Sequence, residues 1–349
     1  MRQRLAIGLV SSLVSYLVTL LTIAGCSKTE YRLDEVIHIR HQGADMPAYI
    51  HGNFESKTFI VVLHGAGSFG LSFRDGAFTE VLEENYVVVY WDQRGQGMSQ
   101  GRYGQPDDLV NLMADDVIAL ATVLRSKYGE DIQLFLMGHS WGGALGTTTL
   151  LKEDHQNLFS GWISVSGVHD FPLTAGSRRG QLLSIANEQI SLGSAVEKWQ
   201  ELHDGVTELD SLSEEDYQPT LQYALQAMKL LYETEVIQPS VSSEKMYRAI
   251  IDNNPVTWMV SNLFNQPVNV ALADDYSLSA RLPEITLPAL LIYGKYDVSV
   301  PPVIGQDAYE RLGSAEKELL LFEHSIHHPH DTEPDRFAEE VVQFVEKHR

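Results

Sequence analysis

The chain has 349 residues, of which 44% are hydrophobic, so it can bury a large core as one α/β domain with an insertion or as two domains. Its formal net charge of −22 argues against nucleic acid as a partner, because a polyanion would be repelled. We interpret the acidity as a solvated surface that keeps the protein soluble. The expected partner is a small molecule or a peptide.

The N-terminus has the pattern of a secretion signal over residues 1–25. Two arginines precede an apolar stretch at residues 5–21, and Ala24 and Gly25 stand directly before Cys26. These small residues before a cysteine resemble the bacterial lipobox, which implies that Cys26 is lipidated after cleavage. Because Cys26 is the only cysteine, it cannot form an intramolecular disulfide. Lipid attachment therefore explains its presence better than redox chemistry does.

Cleavage before Cys26 would leave an exported lipoprotein, attached to a membrane of the cell envelope by its lipid. Ser27 after the cysteine favours the outer membrane. The alternative is an uncleaved membrane anchor, because residues 6–24 are nearly long enough to span a bilayer. We expect residues 26–35 to be a linker between the membrane attachment and the folded body.

Beyond this linker, strand and helix patterns alternate. A first hairpin is predicted at residues 31–52, with its turn at Gln42 and Gly43, and helices are predicted at residues 107–127 and 334–346. Apolar runs typical of buried strands lie at residues 59–63, 86–91, 134–137, 162–165, 288–293 and 318–322. Strands separated by helices predict an α/β fold with a mostly parallel central sheet flanked by helices. Functional residues then lie at the carboxyl ends of the strands.

The strand pattern stops between residues 170 and 281. Segments such as 223–234 and 243–253 are typical of helices rich in Glu, Gln and Ser. We therefore predict an inserted helical lid at residues 170–281, within a core formed by residues 36–169 and 282–349. An insertion flanked by core strands is expected to lie over the active end of the sheet.

Residues 138–142 have the sequence Gly-His-Ser-Trp-Gly, a GxSxG motif between the apolar run at 134–137 and a predicted helix. A strand-to-helix turn this tight needs glycine on both sides of its serine, and it exposes the serine side chain. The turn would also aim the backbone N–H of Trp141 at an oxyanion formed beside Ser140. The pattern predicts that Ser140 is a catalytic nucleophile; the alternative is a tight structural turn.

A nucleophilic serine needs a histidine as base and a carboxylate that orients it, in the chain order Ser, Asp or Glu, His for this architecture. Asp297 follows the predicted strand at 288–293, and His327 follows the one at 318–322. We assign these two residues as acid and base. The alternative for Asp297 is a turn or helix-cap aspartate, and Asp170 is then the substitute acid.

Histidines at positions 324, 327, 328 and 330 form a run that could bind a metal. No HExxH motif or cysteine accompanies them, and Pro329 argues against a regular helix that presents them on one face. We therefore expect no metal site, and the serine chemistry requires no organic cofactor.

These motifs together resemble the α/β-hydrolase fold family from Ile37 to the C-terminus. Residues 64–67, His-Gly-Ala-Gly, match the family's HG motif, and the match implies that the backbone N–H of Ala66 is an oxyanion-hole donor. Asp297 and His327 match the family's late strand-end acid and its histidine, which precedes a proline-containing segment and a final helix. The resemblance and the residue chemistry select the same three catalytic residues.

Within that family, residues 92–99 and 138–143 resemble the proline iminopeptidase branch, which cleaves an N-terminal proline from peptides. Two motifs depart from its pattern. The branch's His-Gly-Gly-Pro-Gly is His-Gly-Ala-Gly-Ser at residues 64–68, and His139 stands where the branch usually has a glycine before the serine. The substrate can thus be an N-terminal amide or an ester, including a lipid ester as in carboxylesterases and lysophospholipases. A non-catalytic ligand-binding lipoprotein is the competing class. Asp92 and Arg94 are expected to form a charged brace beside the serine.

Overall fold

The computed structural model describes residues 31–74, 76–101, 108–209, 214–238 and 276–349. The predicted signal peptide, Cys26 and the predicted helix at 243–253 lie outside these ranges. None of the helices in the described ranges is long and apolar enough to cross a membrane.

Within the described residues, nine strands form one mixed sheet. They are β1 Arg32–His41, β2 Ala44–Asn53, β3 Thr58–Leu63, β4 Val87–Trp91, β5 Gln100–Gly101, β6 Gln133–His139, β7 Gly161–Val165, β8 Ala289–Gly294 and β9 Lys317–Phe322. Their order is β1-β2-β4-β3-β6-β7-β8-β9, with β5 beside β2. The strands β4, β3, β6, β7, β8 and β9 run parallel, so their carboxyl ends meet at one edge.

The antiparallel hairpin of β1 and β2 pairs in register from Arg32 with Asn53 to His41 with Ala44. Gln42 and Gly43 have φ values of 40° and 80°, so both adopt the left-handed conformation that a two-residue hairpin turn requires. The linker predicted at residues 26–35 extends too far towards the C-terminus, since β1 begins at Arg32. The strand begins there because residues 32–35 pair with residues 50–53 at the end of β2.

The helices in the described residues cover both faces of the sheet. They are α1 Ala77–Asn85, α2 Leu109–Tyr128, α3 Trp141–Leu150, α4 Phe171–Ser191, α5 Val196–Thr207, α6 Glu214–Glu233, α7 Pro302–Arg311, α8 Pro329–Thr332 and α9 Pro334–His348. On one face, α2, α3 and α7 bury residues such as Leu120, Leu145 and Ile304. On the other face, α1 and α9 bury residues such as Leu82 and Val341.

The helices α4, α5 and α6 form a separate hydrophobic cluster, with Trp199 at 0% exposure. This cluster includes Tyr296 and Val298 from the loop after β8, so the helices rest on that loop. The chain enters and leaves the insertion at one point, where Asp170 and Ser277 form an antiparallel bridge. The helical segment is therefore fastened beside the carboxyl end of β8.

Candidate active site

Ser140 occupies a strained turn between β6 and α3. Its φ of 54° and ψ of −117° lie in a region that side-chain-bearing residues seldom adopt. A Cβ at Gly138 would overlap the carbonyl oxygen of Gly142, and a Cβ at Gly142 would overlap that of Leu63. The two glycines thus permit the close approach that the turn needs. Ser140 also donates its backbone N–H to the carbonyl oxygen of Val165 at 3.1 Å, which fixes the turn to β7.

Trp141 is the first residue of α3, so its backbone N–H has no intrahelical acceptor. This N–H and the positive end of the helix lie directly after the serine. The arrangement supplies the electrostatic environment that an oxyanion beside Ser140 requires.

Asp297 and His327 are joined by a hydrogen bond of 2.8 Å between Oδ2 of the carboxylate and Nδ1 of the imidazole. They follow β8 and β9, so two neighbouring strand ends deliver them. The Asp297 side chain is 0% exposed, and its second oxygen accepts the backbone N–H of Val300 at 3.0 Å. A hydrogen on Nδ1 leaves the lone pair on Nε2 of His327, the tautomer that a general base needs.

Asp170, the substitute acid, has a different set of partners. It caps α4 by accepting the backbone N–H of Leu173 at 2.8 Å, and its other oxygen accepts the hydroxyl groups of Ser277 and Ser279. Burial raises the pKa of Asp170, but these hydrogen bonds outweigh that effect and hold it below its usual value. Asp170 therefore holds together the two ends of the insertion, while the carboxylate bonded to His327 is Asp297.

Ala66 lies on a tight turn beside the serine. The backbone N–H of Ser68 donates to the carbonyl oxygen of Gly65 at 3.2 Å, and Gly67 has a φ of 68°, as the third residue of a type II turn requires. A Cβ at Gly65 would lie 3.5 Å from the Cβ of Ser140, so the turn passes within van der Waals reach of the serine. Ala66 itself is exposed at this point.

His64 supports that turn from the protein interior. It is 0% exposed; its Nδ1 lies 2.9 Å from the carbonyl oxygen of Gly65, and its Nε2 accepts the backbone N–H of Gln93 at 3.3 Å. Burial lowers the pKa of His64 to about 4, so the ring is neutral at physiological pH and can donate from one nitrogen while accepting at the other.

Gln93 is a residue that the sequence analysis did not single out. Its Nε2 donates to the carbonyl oxygen of His64 at 2.8 Å, and its Oε1 accepts the indole N–H of Trp141 at 3.0 Å. One buried amide therefore connects the turn of Ala66 to the start of α3. The available signal was its position directly after a buried strand, the same signal that selected Asp297.

The structure corrects the predicted pairing of Asp92 with Arg94. Arg94 forms a bidentate ion pair with Asp116 of α2, at 2.7 and 2.8 Å, and both side chains are 0% exposed. Asp92 instead accepts the backbone N–H groups of Gly70 and Met98, each at 2.7 Å. The reason is geometric: the chain turns sharply after Asp92, so consecutive polar residues face different neighbours.

The side chains of His139, His328 and His330 lie close together beside His327. His139, which precedes the serine, lies with its Nε2 2.9 Å from the carbonyl oxygen of His327. Nitrogen atoms of His139, His328 and His330 all lie within 4.8 Å of one another. The remaining member of the predicted run, His324, is exposed, and its backbone N–H donates to a carboxylate oxygen of Glu333.

The sequence profile of the serine aminopeptidase, S33, family matches residues 55–335, which include the serine turn, Asp297 and His327. The chain belongs to this family. It is therefore an enzyme of the α/β-hydrolase superfamily, as the resemblance of its motifs implied.

Several proteins are similar to this member of the S33 family. A probable aminopeptidase of Bacillus subtilis is 23% identical over 285 residues, which cover 78% of this chain and 83% of the relative. A pimeloyl-(acyl-carrier protein) methyl ester esterase of Vibrio atlanticus is 26% identical over 82% of this chain and 94% of its own length. The solved proline iminopeptidase of Mycobacterium smegmatis has a TM-score of 0.60 at 20% identity, over 90% of this chain and 98% of that one. This structural likeness confirms the predicted α/β-hydrolase fold.

Proposed function

We propose that this hydrolase cleaves a carboxylic ester or an amide bond through a triad of Ser140, His327 and Asp297. The observation that supports the proposal best is the 2.8 Å bond between buried Asp297 and Nδ1 of His327. The ring of His327 lies 4.8 Å from that of His139, the residue before Ser140. A carboxylate in this position favours the tautomer in which Nε2 can accept a proton, and it stabilises the imidazolium that results.

The reaction follows from these positions in two steps. The Oγ of Ser140 attacks the substrate carbonyl while Nε2 of His327 takes the hydroxyl proton, and the backbone N–H groups of Trp141 and Ala66 stabilise the negative oxygen. His327 then returns the proton to the departing alcohol or amine, which leaves an acyl group on the serine. A water molecule, deprotonated by the same histidine, releases the acid.

Among possible substrates we favour a peptide with a free N-terminus, cleaved as in proline iminopeptidases. Support comes from the motifs at residues 92–99 and 138–143 and from the aminopeptidases among the similar proteins. The alternative is an ester, including a lipid ester, and it is supported by the similarity to an esterase over 94% of that esterase's length. A non-catalytic ligand-binding protein is disfavoured, because ligand binding does not require a serine, an aspartate and a histidine in this order and arrangement.

We also propose that the enzyme is exported and attached to a membrane of the cell envelope, the outer membrane in a Gram-negative cell, through a lipid on Cys26. The support is the sequence of the first 27 residues alone. Such an enzyme would act on peptides or lipids outside the cytoplasm.

A substrate comparison tests the proposed activity. The body from Lys28 onward is assayed against p-nitrophenyl esters of increasing acyl length and against aminoacyl-arylamides, with Ser140→Ala as the blank and Ser191→Ala, an exposed lid serine, as the matched control. The favoured proposal predicts the highest kcat/KM on prolyl-arylamide. A preference for long-chain esters would replace the peptidase by a lipid esterase, and turnover unchanged by Ser140→Ala would overturn the triad.

A further inference from the structure

The cluster of His139, His328 and His330 has the dimensions of a metal site. The ring centroids are 4.8 Å apart for His139 and His328, 5.0 Å for His139 and His330, and 5.5 Å for His328 and His330. Three imidazoles that bind one tetrahedral ion at roughly 2.0–2.1 Å place their ring centroids about 5 Å apart. The three rings thus already stand at the spacing that a shared ion would impose.

The burial of the cluster suits ligation. His139 and His330 are each only 4% exposed, so few water molecules can reach their ring nitrogens. The Nδ1 atom of His330 is buried and has no hydrogen-bond partner among the described residues. An unpartnered buried nitrogen is costly for folding, and an ion would satisfy it.

The surroundings of the cluster hold these rings in place. The ring of Phe73 stacks on His330 with centroids 4.5 Å apart, and Phe78 and Phe337 contact the same imidazole edge-on. An apolar shell of this kind limits solvent access and lowers the local dielectric constant around a bound ion. His328 is the exposed member of the three and gives the ion a route from solvent.

We propose that His139, His328 and His330 form a binding site for a first-row transition-metal ion such as Zn²⁺, and that occupation of this site inhibits the hydrolase. Neutral imidazoles without carboxylates favour Zn²⁺, Ni²⁺ or Cu²⁺ over Mg²⁺ and Ca²⁺. The inhibitory part rests on the proposed function of His327.

Inhibition follows from how the cluster is connected to His327. The ring centroids already have the required spacing, but the ligand nitrogens lie within 4.8 Å of one another, whereas those of one tetrahedral ion lie about 3.4 Å apart. Binding must therefore turn the rings so that their nitrogens converge on the ion. His328 is the chain neighbour of His327. His139 donates its Nε2–H to the carbonyl oxygen of His327, which leaves its Nδ1 as the nitrogen that can bind the ion. Turning both rings towards an ion moves the His327 backbone and weakens the bond of His327 to Asp297.

Binding is tested on the Ser140→Ala protein, so that the result does not depend on catalysis. Zn²⁺ is titrated by calorimetry, and Co²⁺ serves as a visible-absorption probe of imidazole ligation. We expect one ion per chain, with affinity lowered at least about tenfold by His328→Ala and by His330→Gln. His328→Ala alters an exposed side chain and keeps the test valid where His330→Gln unfolds the protein. His324→Ala, in the same run but outside the cluster, is the matched control and should bind as the parent does.

The inhibitory part is tested on the wild-type enzyme with the substrate found most active. Stoichiometric Zn²⁺ should lower kcat, EDTA should restore it, and His328→Ala should raise the Zn²⁺ concentration required. Absence of saturable Zn²⁺ binding, or equal loss of binding in His324→Ala, overturns the site itself. Tight binding with unchanged kcat overturns the inhibition and leaves the site, whereas an inactive wild-type enzyme that still binds Zn²⁺ contradicts the proposed function instead.

Discussion

The indole N–H of Trp141 donates to the side-chain oxygen of Gln93 at 3.0 Å, while the amide nitrogen of Gln93 donates to the carbonyl oxygen of His64. One side chain therefore sets the distance between the two segments that carry the proposed oxyanion donors. Because an oxyanion hole acts through donors held in place before the reaction, this connection has a kinetic consequence.

Replacing Gln93 by Leu should lower kcat about tenfold with little change in KM, because misplaced donors weaken transition-state binding more than substrate binding. The change also leaves a buried carbonyl oxygen and a buried indole N–H unpaired, which should cost about 1–3 kcal/mol of stability. Steady-state kinetics and urea unfolding measure the two effects. Trp141→Phe removes only one of the two bonds and should be milder; a change confined to KM would argue against a positioning role for Gln93.

The two candidate acids can be separated by the same conservative substitution. Asp297→Asn permits the wrong imidazole tautomer and should lower kcat on the order of 10⁴-fold, as the equivalent change does in serine proteases. Asp170→Asn should change kcat little. It should instead destabilise the helical segment that begins with α4, because Asp170 accepts the hydroxyl groups of Ser277 and Ser279 across the two ends of that segment. Circular dichroism checks folding in both variants. The opposite ranking of kcat losses would move the acid to Asp170.

Acid should destabilise the fold through His64. Its pKa is about 4 in the folded protein, below the value of 6.5 of an unperturbed histidine, so the unfolded chain binds the proton more tightly between these pH values. The stabilising contribution is complete above pH 6.5 and is lost as the pH falls towards 4, by at most about 3 kcal/mol.

Urea unfolding gives the free energy of unfolding of the wild type and of His64→Gln at each pH in this range. The contribution of His64 is the difference between the two proteins in the slope of that free energy against pH. The glutamine carries no titrating group, so the variant should lose less stability on acidification, although it starts less stable. Parallel pH profiles for the two proteins would show that His64 is not among the groups responsible.

Lipidation of Cys26 should be visible in the native protein. Mass spectrometry of the N-terminus should find acyl chains on Cys26, and Cys26→Ser should accumulate as an unprocessed precursor. A chain that keeps Met1 and remains in the membrane would instead support the uncleaved anchor.

The features of this protein that its sequence predicts are those that depend on a few adjacent residues or on a general rule of sheet topology. The tight turn around Ser140 needs glycine on both sides, and Gln42-Gly43 supplies the left-handed residues that a hairpin turn needs; both are legible in a few adjacent residues. Asp297 could be selected because parallel strands place their carboxyl ends at one edge of the sheet.

The contacts that sequence reasoning missed join segments far apart in the chain. Arg94 pairs with Asp116, and the only local signal was a charged residue on the otherwise buried face of α2. His139 ends β6, whereas His328 and His330 follow β9. The three meet only because the fold brings the segment after β9 next to the carboxyl end of β6. The spacing of residues along the chain does not encode such proximity. It requires the folded sheet.

Covalent labelling of the nucleophile tests the central claim most directly. The wild-type protein is treated with a fluorophosphonate probe, digested, and mapped by mass spectrometry, with His327→Ala and Ser191→Ala treated in parallel. The triad predicts one adduct per chain on the peptide containing Ser140, formed at the normal rate in Ser191→Ala and far more slowly in His327→Ala. An active enzyme that carries the adduct on another residue, or none at all, would contradict it.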